Sequence, residues 1–430
     1  MKFIFLLPII ILIIPNCYVV ENIYEEEFVT EYRITREEFK ILVIVISLGI
    51  AGMLGIDLHL ASMPYIMQTM QTDKVHMQQS VSIYLLGAGL SLLIYGPLSD
   101  KMGRKPIIIM GVSIAALASL WSVFTTHINI FLLSRLVQGI GAAACIGIGR
   151  TIITDVLSGH KLATVGSYFS MLTSLSPLLA PTLGGYIQHW FGWQANFILL
   201  SAILLITLFI YIIFCPETNQ HINAHAFRLN SLCNNYLQIA RNKAFLIYTL
   251  IAGIGISIGI VYATASSFIF QTEFHLSPVA YGWLGVIVGV AGMLGKFMGA
   301  TMIRFFGMNR TLSIGFIFPL IGGLLLLVIQ FLGALSVSHV MVGIFIAILG
   351  QFFILPNTLA GAMQSFPTMK GAAGALYGSS QTLISFLTGA LVAFFAAFGV
   401  TTLSASYAIL GIVGLIVFFM LLKPIIQEKQ

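Results

Sequence analysis

The chain has 430 residues, of which 58% are hydrophobic and 8% are charged, and its mean hydropathy is +1.00. A soluble protein cannot bury that much apolar surface, so the composition excludes a soluble globular domain and predicts a polytopic membrane protein. In such a protein the formal net charge of +6 reports membrane topology, and we expect no nucleic-acid partner.

The first 40 residues differ from the rest of the chain. Residues 3–14 form an apolar run that is similar to a signal-peptide core, and twelve residues are too few to span a bilayer comfortably. Asn16 before Cys17 makes a poor lipoprotein cleavage site. Residues 21–40 are rich in glutamate and are expected on the cytoplasmic side. We expect residues 1–20 to be a dispensable in-plane or mis-started extension, since a genuine extra span would invert every later loop.

From Ile41 onward, twelve apolar segments are each about as long as a bilayer requires. The predicted spans are 41–63, 77–98, 106–124, 129–152, 163–188, 195–215, 245–269, 280–303, 311–332, 337–359, 371–398 and 402–422. A polar stretch divides six from six. This predicts an all-α membrane protein with an N-terminal half at 41–215, a cytoplasmic linker at 216–244, a C-terminal half at 245–422 and a tail at 423–430.

The distribution of basic residues indicates the orientation. Thirteen lysines and arginines fall in even-numbered gaps between spans or in the tail, whereas the odd-numbered gaps carry only Lys74. Positive charge is retained on the cytoplasmic side of a membrane, so both ends of the chain are predicted to be cytoplasmic.

The two halves also repeat. A shift of 204 residues superposes the first span on the seventh and Gly103 on Gly307, although the second loop has no aspartate where the first has Asp100. Two similar six-helix halves are typical of transporters built from internal repeats, and we expect a pseudo-symmetric arrangement.

A short polar stretch, residues 96–105, separates the second and third spans. Its four charges in ten residues cannot lie in hydrocarbon, and three are basic, which predicts a cytoplasmic hairpin. Gly96 and Gly103 let backbones approach closely. Asp100 has the N-terminus of the helix after Pro106 nearby, together with three cations. These cations are Lys101, Arg104 and Lys105. A loop that only sets topology is the plainer alternative.

Ionisable residues within spans are rare and are therefore functional candidates. Asp57 and Arg135 each lie about seven residues, or about 10 Å, from the outer end of their spans. We expect them at similar depth in one half, where each would offset the other's burial cost. A carboxylate facing a central cavity can also exchange a proton, as proton coupling requires. A purely structural ion pair is the alternative.

Two further motifs lie on the fourth and fifth spans. Small residues over 139–149 predict a face where another helix lies close, and Arg150 and Asp155 are expected to meet polar loops beyond it. The fifth span carries prolines and a glycine pair, which predict a kinked helix with a smooth face. Its motif residues are Pro177, Ala180, Pro181, Gly184 and Gly185. Packing alone is the alternative explanation.

Lys296 in the eighth span lies about seven residues from the cytoplasmic end, within reach of the interface by snorkelling. Snorkelling, or contact with a local structural partner, is favoured over contact between Lys296 and a substrate. If the lysine did line the cavity, it would favour anionic or neutral substrates. His59 lies two residues from Asp57 and is expected to pack elsewhere on the helix. The other possible cavity groups are His59 itself, Tyr262, Phe268, Gln271, Gln351, Asn357 and Gln381.

The stretch 96–105 resembles the loop between helices two and three of the major facilitator superfamily. Further groups in the N-terminal half resemble the Bcr/CflA (bicyclomycin/chloramphenicol resistance) subfamily of drug:proton antiporters. They are Asp57 with 60–64, 95–100, Arg135 with 138–139, Arg150 with Asp155, Pro177 with 180–181 and 184–185, and 192–193 with Phe197. The C-terminal half matches mainly by repeat and hydropathy. His59 and Ser62 depart from the subfamily pattern beside the expected proton site.

The resemblance implies a multi-pass transporter of the bacterial inner membrane that exports drugs or small metabolites in exchange for protons, by alternating access. It implies that the loop at Asp100 acts in the conformational switch, that Arg135 assists proton coupling and that the fifth-span motif marks exporters. We expect a monomer in the lipid bilayer that is not an enzyme. An importer of a nutrient, a channel and a transporter-like sensor are the alternatives.

The energy source is expected to be the proton gradient. The chain has no Gly-x-x-x-x-Gly-Lys-Ser/Thr loop, so ATP is not expected to drive transport. Its four cysteines show neither pairing nor metal spacing, so no metal and no other cofactor are expected.

Overall fold

The computed structural model describes residues 34–159, 161–162, 165–166, 175–219, 222, 229–366 and 369–424. Over these residues the protein is helical and contains no β-strand. The apolar extension, the acidic lead-in up to residue 33 and the tail from residue 425 lie outside the described residues.

The first span is interrupted within the membrane. Helix α1 (Arg36–Asp57) begins at a capping box, in which Thr35 and Glu38 bond each other's backbone N–H groups. It ends at Asp57, and a 3₁₀ turn (Leu60–Ser62) leads into α2 (Met63–Thr69). The span predicted at 41–63 lies within a single membrane-spanning segment, Arg36–Thr69, but the chain changes its hydrogen-bond pattern directly after the carboxylate, which the sequence did not indicate.

Five further helices complete the N-terminal set. They are α3 (Lys74–Met102), α4 (Arg104–Val123), α5 (Ile128–Val156), α6 (Leu175–Phe191) and α7 (Trp193–Phe214). Helix α4 begins at Arg104 rather than after Pro106, since the proline occupies the first turn, where its missing N–H costs nothing. The fifth predicted span is described only from residue 175 onward, apart from short pieces before it.

The remaining helices follow a stretch that the sequence assigned to a polar linker. Part of this stretch forms α8 (Leu229–Ala240), whose Tyr236 hydroxyl donates to the Leu93 carbonyl of α3 at 2.8 Å. The others are α9 (Lys243–Phe268) with a π-helical turn (Ile269–Glu273), α10 (Pro278–Phe331), α11 (Val337–Met363), α12 (Lys370–Phe394), and α13 (Val400–Val417) with a π-helical turn (Phe418–Leu422).

Helix α10 contains the eighth and ninth predicted spans as two arms. They meet at Gly307, whose φ of 76° and ψ of 168° are not helical. Gly103, the residue that the internal repeat superposes on Gly307, has φ 97° and ψ 158° between α3 and α4. Both positions require positive φ, which glycine adopts without strain. In both halves the chain therefore reverses direction at a glycine with positive φ.

Among the described residues, nine helical segments are long and apolar enough to cross a membrane. One of these is α10, whose 54 residues are long enough for two crossings of about 20 residues each. Adding α6 and α12 gives twelve crossings, in agreement with the prediction of two six-helix halves.

The halves are in closer contact at one end of the bundle, which we call the Leu60 end, than at the other, the Gly103 end. At the Leu60 end, the Ser267 hydroxyl donates to the Leu60 carbonyl at 2.5 Å, and the Gln271 amide donates to the Ala61 carbonyl at 3.0 Å. A contact between α3 and α12 near the Gly103 end is looser. There, a Cβ atom on Gly96 would lie 3.6 Å from Ala375.

Small residues allow α4 and α5 to pack backbone against backbone. A Cβ atom on Gly141 would lie 2.5 Å from the Gly111 carbonyl oxygen and 2.8 Å from the Ala115 Cα. Neither backbone atom can move without displacing its helix. The predicted small-residue face over 139–149 is therefore used for close helix packing.

We expect Gly141→Val to destabilise the protein by about 1–3 kcal/mol, because the added methyl groups overlap the α4 backbone. Thermal unfolding of the purified protein in detergent measures the loss. Gly374→Val is the matched control, since a Cβ atom there meets nothing within 4 Å. Equal melting temperatures for the two variants would contradict this packing.

Candidate functional site

Asp57 is the last residue of α1 and is half-buried. Its Oδ2 accepts a hydrogen bond from the Ser176 hydroxyl at 3.1 Å. Ser176 lies in the first described turn of α6, so the carboxylate ties the break in the first span to the fifth span. Asp57 also lies close enough to the hydroxyls of Tyr84 and Tyr281 to interact with both electrostatically.

Arg135 is fully buried in α5. Its Nη2 donates to the Gly55 carbonyl at 2.9 Å, and its Nη1 donates to the Gln138 side-chain oxygen. The guanidinium carbon lies 4.7 Å from the ring centroid of Tyr84 and 5.9 Å from that of Phe197. A buried cation is costly unless polar groups and ring faces replace water, and these contacts do so.

Asp57 and Arg135 lie at similar depth but do not form an ion pair. The salt bridges of the described residues do not include this pair. The arginine instead reaches the backbone of Gly55, two residues before the carboxylate. The alternative of a structural ion pair is therefore wrong, because a backbone carbonyl and a glutamine solvate the cation.

The proline and glycine motif of α6 lies between α1 and the first arm of α10. Thr182 donates its hydroxyl hydrogen to the Gly282 carbonyl at 2.8 Å. A Cβ atom on Gly184 would overlap the Leu58 carbonyl oxygen, and one on Gly185 would lie 3.3 Å from the Val279 Cα. The motif is therefore a contact surface between the halves, directly beside Asp57.

Pro177 and Pro181 of the motif also contact the first arm of α10. A Cβ atom on Gly285 of α10 would lie 3.1 Å from both the Pro177 carbonyl oxygen and the Pro181 ring. Ala180 is fully buried. The Asn196 amide of α7 donates to the Gly184 carbonyl at 3.2 Å, which holds the far side of the motif.

The hairpin predicted at 96–105 is wrong, because α3 continues to Met102 and only Gly103 lies between α3 and α4. The polar contacts at this junction are organised around Arg104. Its Nη1 donates to Asp100 at 2.5 Å and to the Ser99 hydroxyl at 2.6 Å, and its Nε donates to Asp155 at 3.0 Å. The two aspartates come from α3 and α5. A single arginine thus joins the ends of three helices.

The remaining candidates occupy different environments. His59 is 2% exposed, and its Nε2 lies 3.4 Å from the Ser80 hydroxyl. Tyr262 is also buried, whereas Gln381 is partly exposed. The Nζ of Lys296 lies 5.2 Å from the Phe352 ring centroid, in reach of a cation–π contact. Arg150 is exposed.

A group of His, Cys, Asp or Glu side chains that could hold a metal ion does not occur among the described residues. The ionisable groups described above are instead spread over several helices.

The model of the Major Facilitator Superfamily matches residues 45–389 of the chain. The chain belongs to this superfamily. Its members are membrane transporters rather than enzymes, which confirms the fold and the broad class predicted from the loop at 96–105.

Two curated relatives show how far the similarity extends. The bicyclomycin resistance protein homolog of Haemophilus influenzae is 27% identical over 288 residues, which cover 66% of this chain and 72% of the relative. The multidrug resistance protein MdtL of Shewanella oneidensis is 27% identical over 243 residues, which cover 56% of this chain and 61% of the relative. The matched part thus spans 61–72% of the length of these relatives.

Among solved structures, the D-xylose-proton symporter has a TM-score of 0.72 and 15% identity over 89% of this chain and 97% of that chain. At this identity the likeness shows the fold alone. The major facilitator architecture is therefore supported by the family match and by the structural likeness.

Glu217 is a site residue that the sequence analysis missed. Its carboxylate accepts hydrogen bonds from the backbone N–H groups of Arg104 and Lys105, both at 2.9 Å, at the N-terminus of α4. The Lys105 ammonium in turn donates to the Ile212 and Cys215 carbonyls, both at 2.8 Å. The expectation that Asp100 would meet a helix N-terminus was wrong, because Glu217 occupies that position.

The position of Glu217 in the sequence could have indicated that it is a site residue. It stands alone, directly after the sixth apolar run, in a chain with only 14 acidic residues. Partial burial raises its pKa, but backbone N–H groups lower it further, so the net pKa lies below its ordinary value. The carboxylate is thus stabilised in its charged form by the dipole and free N–H groups of α4.

We expect Glu217→Gln to reduce stability at pH 7 by no more than about 1 kcal/mol, since water screens an exposed carboxylate. The folded-state pKa is lower than the unfolded one. The contribution is therefore present above the unfolded pKa and is lost as pH falls through the folded pKa.

Melting temperatures of the two proteins in detergent should consequently differ at pH 7 and converge as the pH falls through the lowered folded-state pKa of Glu217. Glu37→Gln, which changes an exposed acid in the first turn of α1, is the control. A difference that persists unchanged at low pH would show that the side chain acts through its shape rather than its charge.

Proposed function

We propose that this protein is a proton-coupled secondary transporter that exports drugs or small metabolites across the bacterial inner membrane by alternating access. The observation that carries the proposal is the position of the α6 motif, which joins the two halves directly beside Asp57. The names of the two curated relatives, a bicyclomycin resistance protein homolog and a multidrug resistance protein, support the same function. Both ends of the chain are cytoplasmic, and the monomer is the functional unit.

Asp57 is the proton-carrying group. The other acidic residues that the structure describes lie in loops or within a few residues of the end of a span. A carboxylate that alternates between water and a dry interior exchanges its proton at each transition. Because its oxygen accepts from Ser176, a change in its charge alters the contact between α1 and α6.

Arg135 acts through α1 rather than through the proton itself. Its guanidinium fixes the Gly55 carbonyl and so holds the last turn before Asp57 in place. A permanent positive charge nearby also favours the ionised carboxylate at the moment when the proton leaves. Arg135 is therefore a positioning residue for the coupling step.

The junction of α3 and α4 around Arg104 acts in the conformational switch. Asp100, Asp155 and Glu217 attach it to α3, α5 and the end of α7, so it holds these ends together in one state. With Lys101 and Gly103 it lies at the Gly103 end, where the halves make the looser contact. Release of these charge-assisted bonds would accompany the opposite state.

Asp57→Asn should abolish proton-driven export while leaving the protein in the membrane, because the amide cannot carry the transported proton. The assay is drug-induced proton release from energised inverted vesicles, with chloramphenicol as the first compound of a mixed drug panel. Asp73→Asn is the matched control, since the exposed Asp73 caps α3 and asparagine caps a helix equally well. Wild-type exchange by the Asp57 variant would exclude the role.

Gly184→Val should insert normally but lose export, because its side chain overlaps the Leu58 carbonyl and pushes α1 away from α6. Cells that express the wild type should tolerate an amphenicol better than cells that express the variant. Gly374→Val is again the control, because a Cβ atom on Gly374 meets nothing within 4 Å. Equal tolerance and equal proton-linked exchange in vesicles would leave the motif as packing only, and a counterflow assay would then test import.

A further inference from the structure

The linker helix α8 extends from the second half of the protein to the first. It packs against α9 and α12, and its Ile239 is fully buried. The Tyr236 hydroxyl reaches the other half, where it donates to the Leu93 carbonyl of α3 at 2.8 Å. The helix is thus anchored in the second half, and a hydroxyl group attaches it to the first.

Pro97 explains why the Leu93 carbonyl is available. Within an α-helix a carbonyl oxygen accepts from the N–H group four residues later, and for Leu93 that residue is Pro97, which has no N–H. The proline therefore leaves the Leu93 oxygen without its helical donor. A partly buried carbonyl without a partner is costly, so a donor that reaches it from another helix stabilises the arrangement.

The interior prolines of α6, α10 and α11 free carbonyl groups in the same way. Each of these carbonyls packs against a glycine of a neighbouring helix. The pairs are Pro177 with Gly285, Gly315 with Gly350, and Phe352 with Gly299. The Leu93 carbonyl differs because a side-chain hydroxyl supplies a full hydrogen bond. Such a bond is directional, and it can break without separating two closely packed helices.

Leu93 lies where α3 and α12 begin to separate. A Cβ atom on Gly89 of α3 would lie 2.9 Å from the side chain of Leu383 on α12, whereas one on Gly96 would lie 3.6 Å from that of Ala375. The separation of the two helices therefore grows toward the Gly103 end. Because α8 contacts α12 and bonds to α3 at this point, it bridges the two helices where they diverge.

The hydroxyl of Tyr236 remains a donor over the physiological pH range. Burial raises its pKa to about 12, and the negative charge of Asp100 contributes to the rise. Asp100 in turn binds Arg104 at the junction of α3 and α4. The attachment of α8 therefore lies close to the charges that act in the conformational switch.

We propose that α8 is a strap that stabilises the conformation described here, in which the halves are closer at the Leu60 end and looser at the Gly103 end. The strap is attached where Tyr236 donates to the carbonyl that Pro97 frees. Closure of the Gly103 end brings α12 toward α3 and displaces the hydroxyl. The inference rests on the proposed alternating access and adds to it an element that sets the resting balance between the two states.

Removal of the hydroxyl tests the strap. Amide hydrogen exchange, followed by mass spectrometry, is measured on the purified full-length protein in phosphatidylcholine nanodiscs without drug. Tyr236→Phe should raise the exchange rate of residues 58–71, at the Leu60 end, by roughly twofold to tenfold, since one hydrogen bond shifts an equilibrium by about that factor. Exchange of residues 371–378, where α12 approaches α3 in the alternative state, should slow.

Tyr377→Phe is the matched control. The Tyr377 hydroxyl lies 2.9 Å from that of Thr358 on α11, so this substitution also removes one buried hydroxyl contact, but within the second half. It should lower the melting temperature without opposite changes at the two ends of the bundle. A purely structural role for Tyr236 would likewise give no opposite changes, and faster exchange would be confined to α8 and the adjoining turn of α3.

Pro97→Ala assigns the effect to the freed carbonyl. Alanine supplies the N–H group that proline lacks, so the Leu93 carbonyl no longer depends on Tyr236. In this background Tyr236→Phe should change both sets of exchange rates less than it does in the wild type, as expected for two changes that act on one bond.

Three results would overturn the proposal. They are a change confined to α8 and adjoining α3 in Tyr236→Phe, the same opposite changes in Tyr377→Phe, and a full effect of Tyr236→Phe in the Pro97→Ala background. Failure of the transport function is distinguishable, because the exchange assay contains neither drug nor proton gradient. If drugs release no protons from wild-type vesicles while Tyr236→Phe moves the two ends in opposite directions, the transport proposal fails and the strap stands.

Discussion

The N-terminal half depends on how the buried charge of Arg135 is solvated. Its guanidinium binds the Gly55 carbonyl of α1 and Gln138 of α5, and it lies over the rings of Tyr84 and Phe197 from α3 and α7. Gln138 extends this hydrogen-bond network to α4, because its side-chain amide donates to the Ser119 hydroxyl at 2.6 Å. Loss of the cation would leave several of these groups without a partner, which costs more than the bonds themselves stabilise.

Features that depend on local sequence were predictable. Apolar runs of span length and charged gaps follow from the transfer of side chains into hydrocarbon, so the twelve spans and their division into halves were visible. The equivalence of Gly103 and Gly307 was visible as a repeat, and both glycines have positive φ. The prolines and glycines of α6 indicated a smooth contact face, and that face meets α10.

Features that depend on contacts between distant segments were not predictable. Depth alone suggested a pair between Asp57 and Arg135, but depth does not specify the direction in which a side chain points. Carbonyl groups are present at every residue, so the sequence gives no sign that Gly55 accepts from Arg135. Glu217 lies 113 residues from its partner Arg104, and only the fold brings an isolated acid to that helix N-terminus.

The position of Asp57 constrains any coupling between proton and substrate. The carboxylate lies at the break of the first span and accepts a hydrogen bond from Ser176 of α6. Along its glycine face, α6 also contacts the first arm of α10, which belongs to the other half. Protonation that loosens α6 from α1 would then shift the second half relative to the first, which links the proton site to the opening of the halves by helix movement.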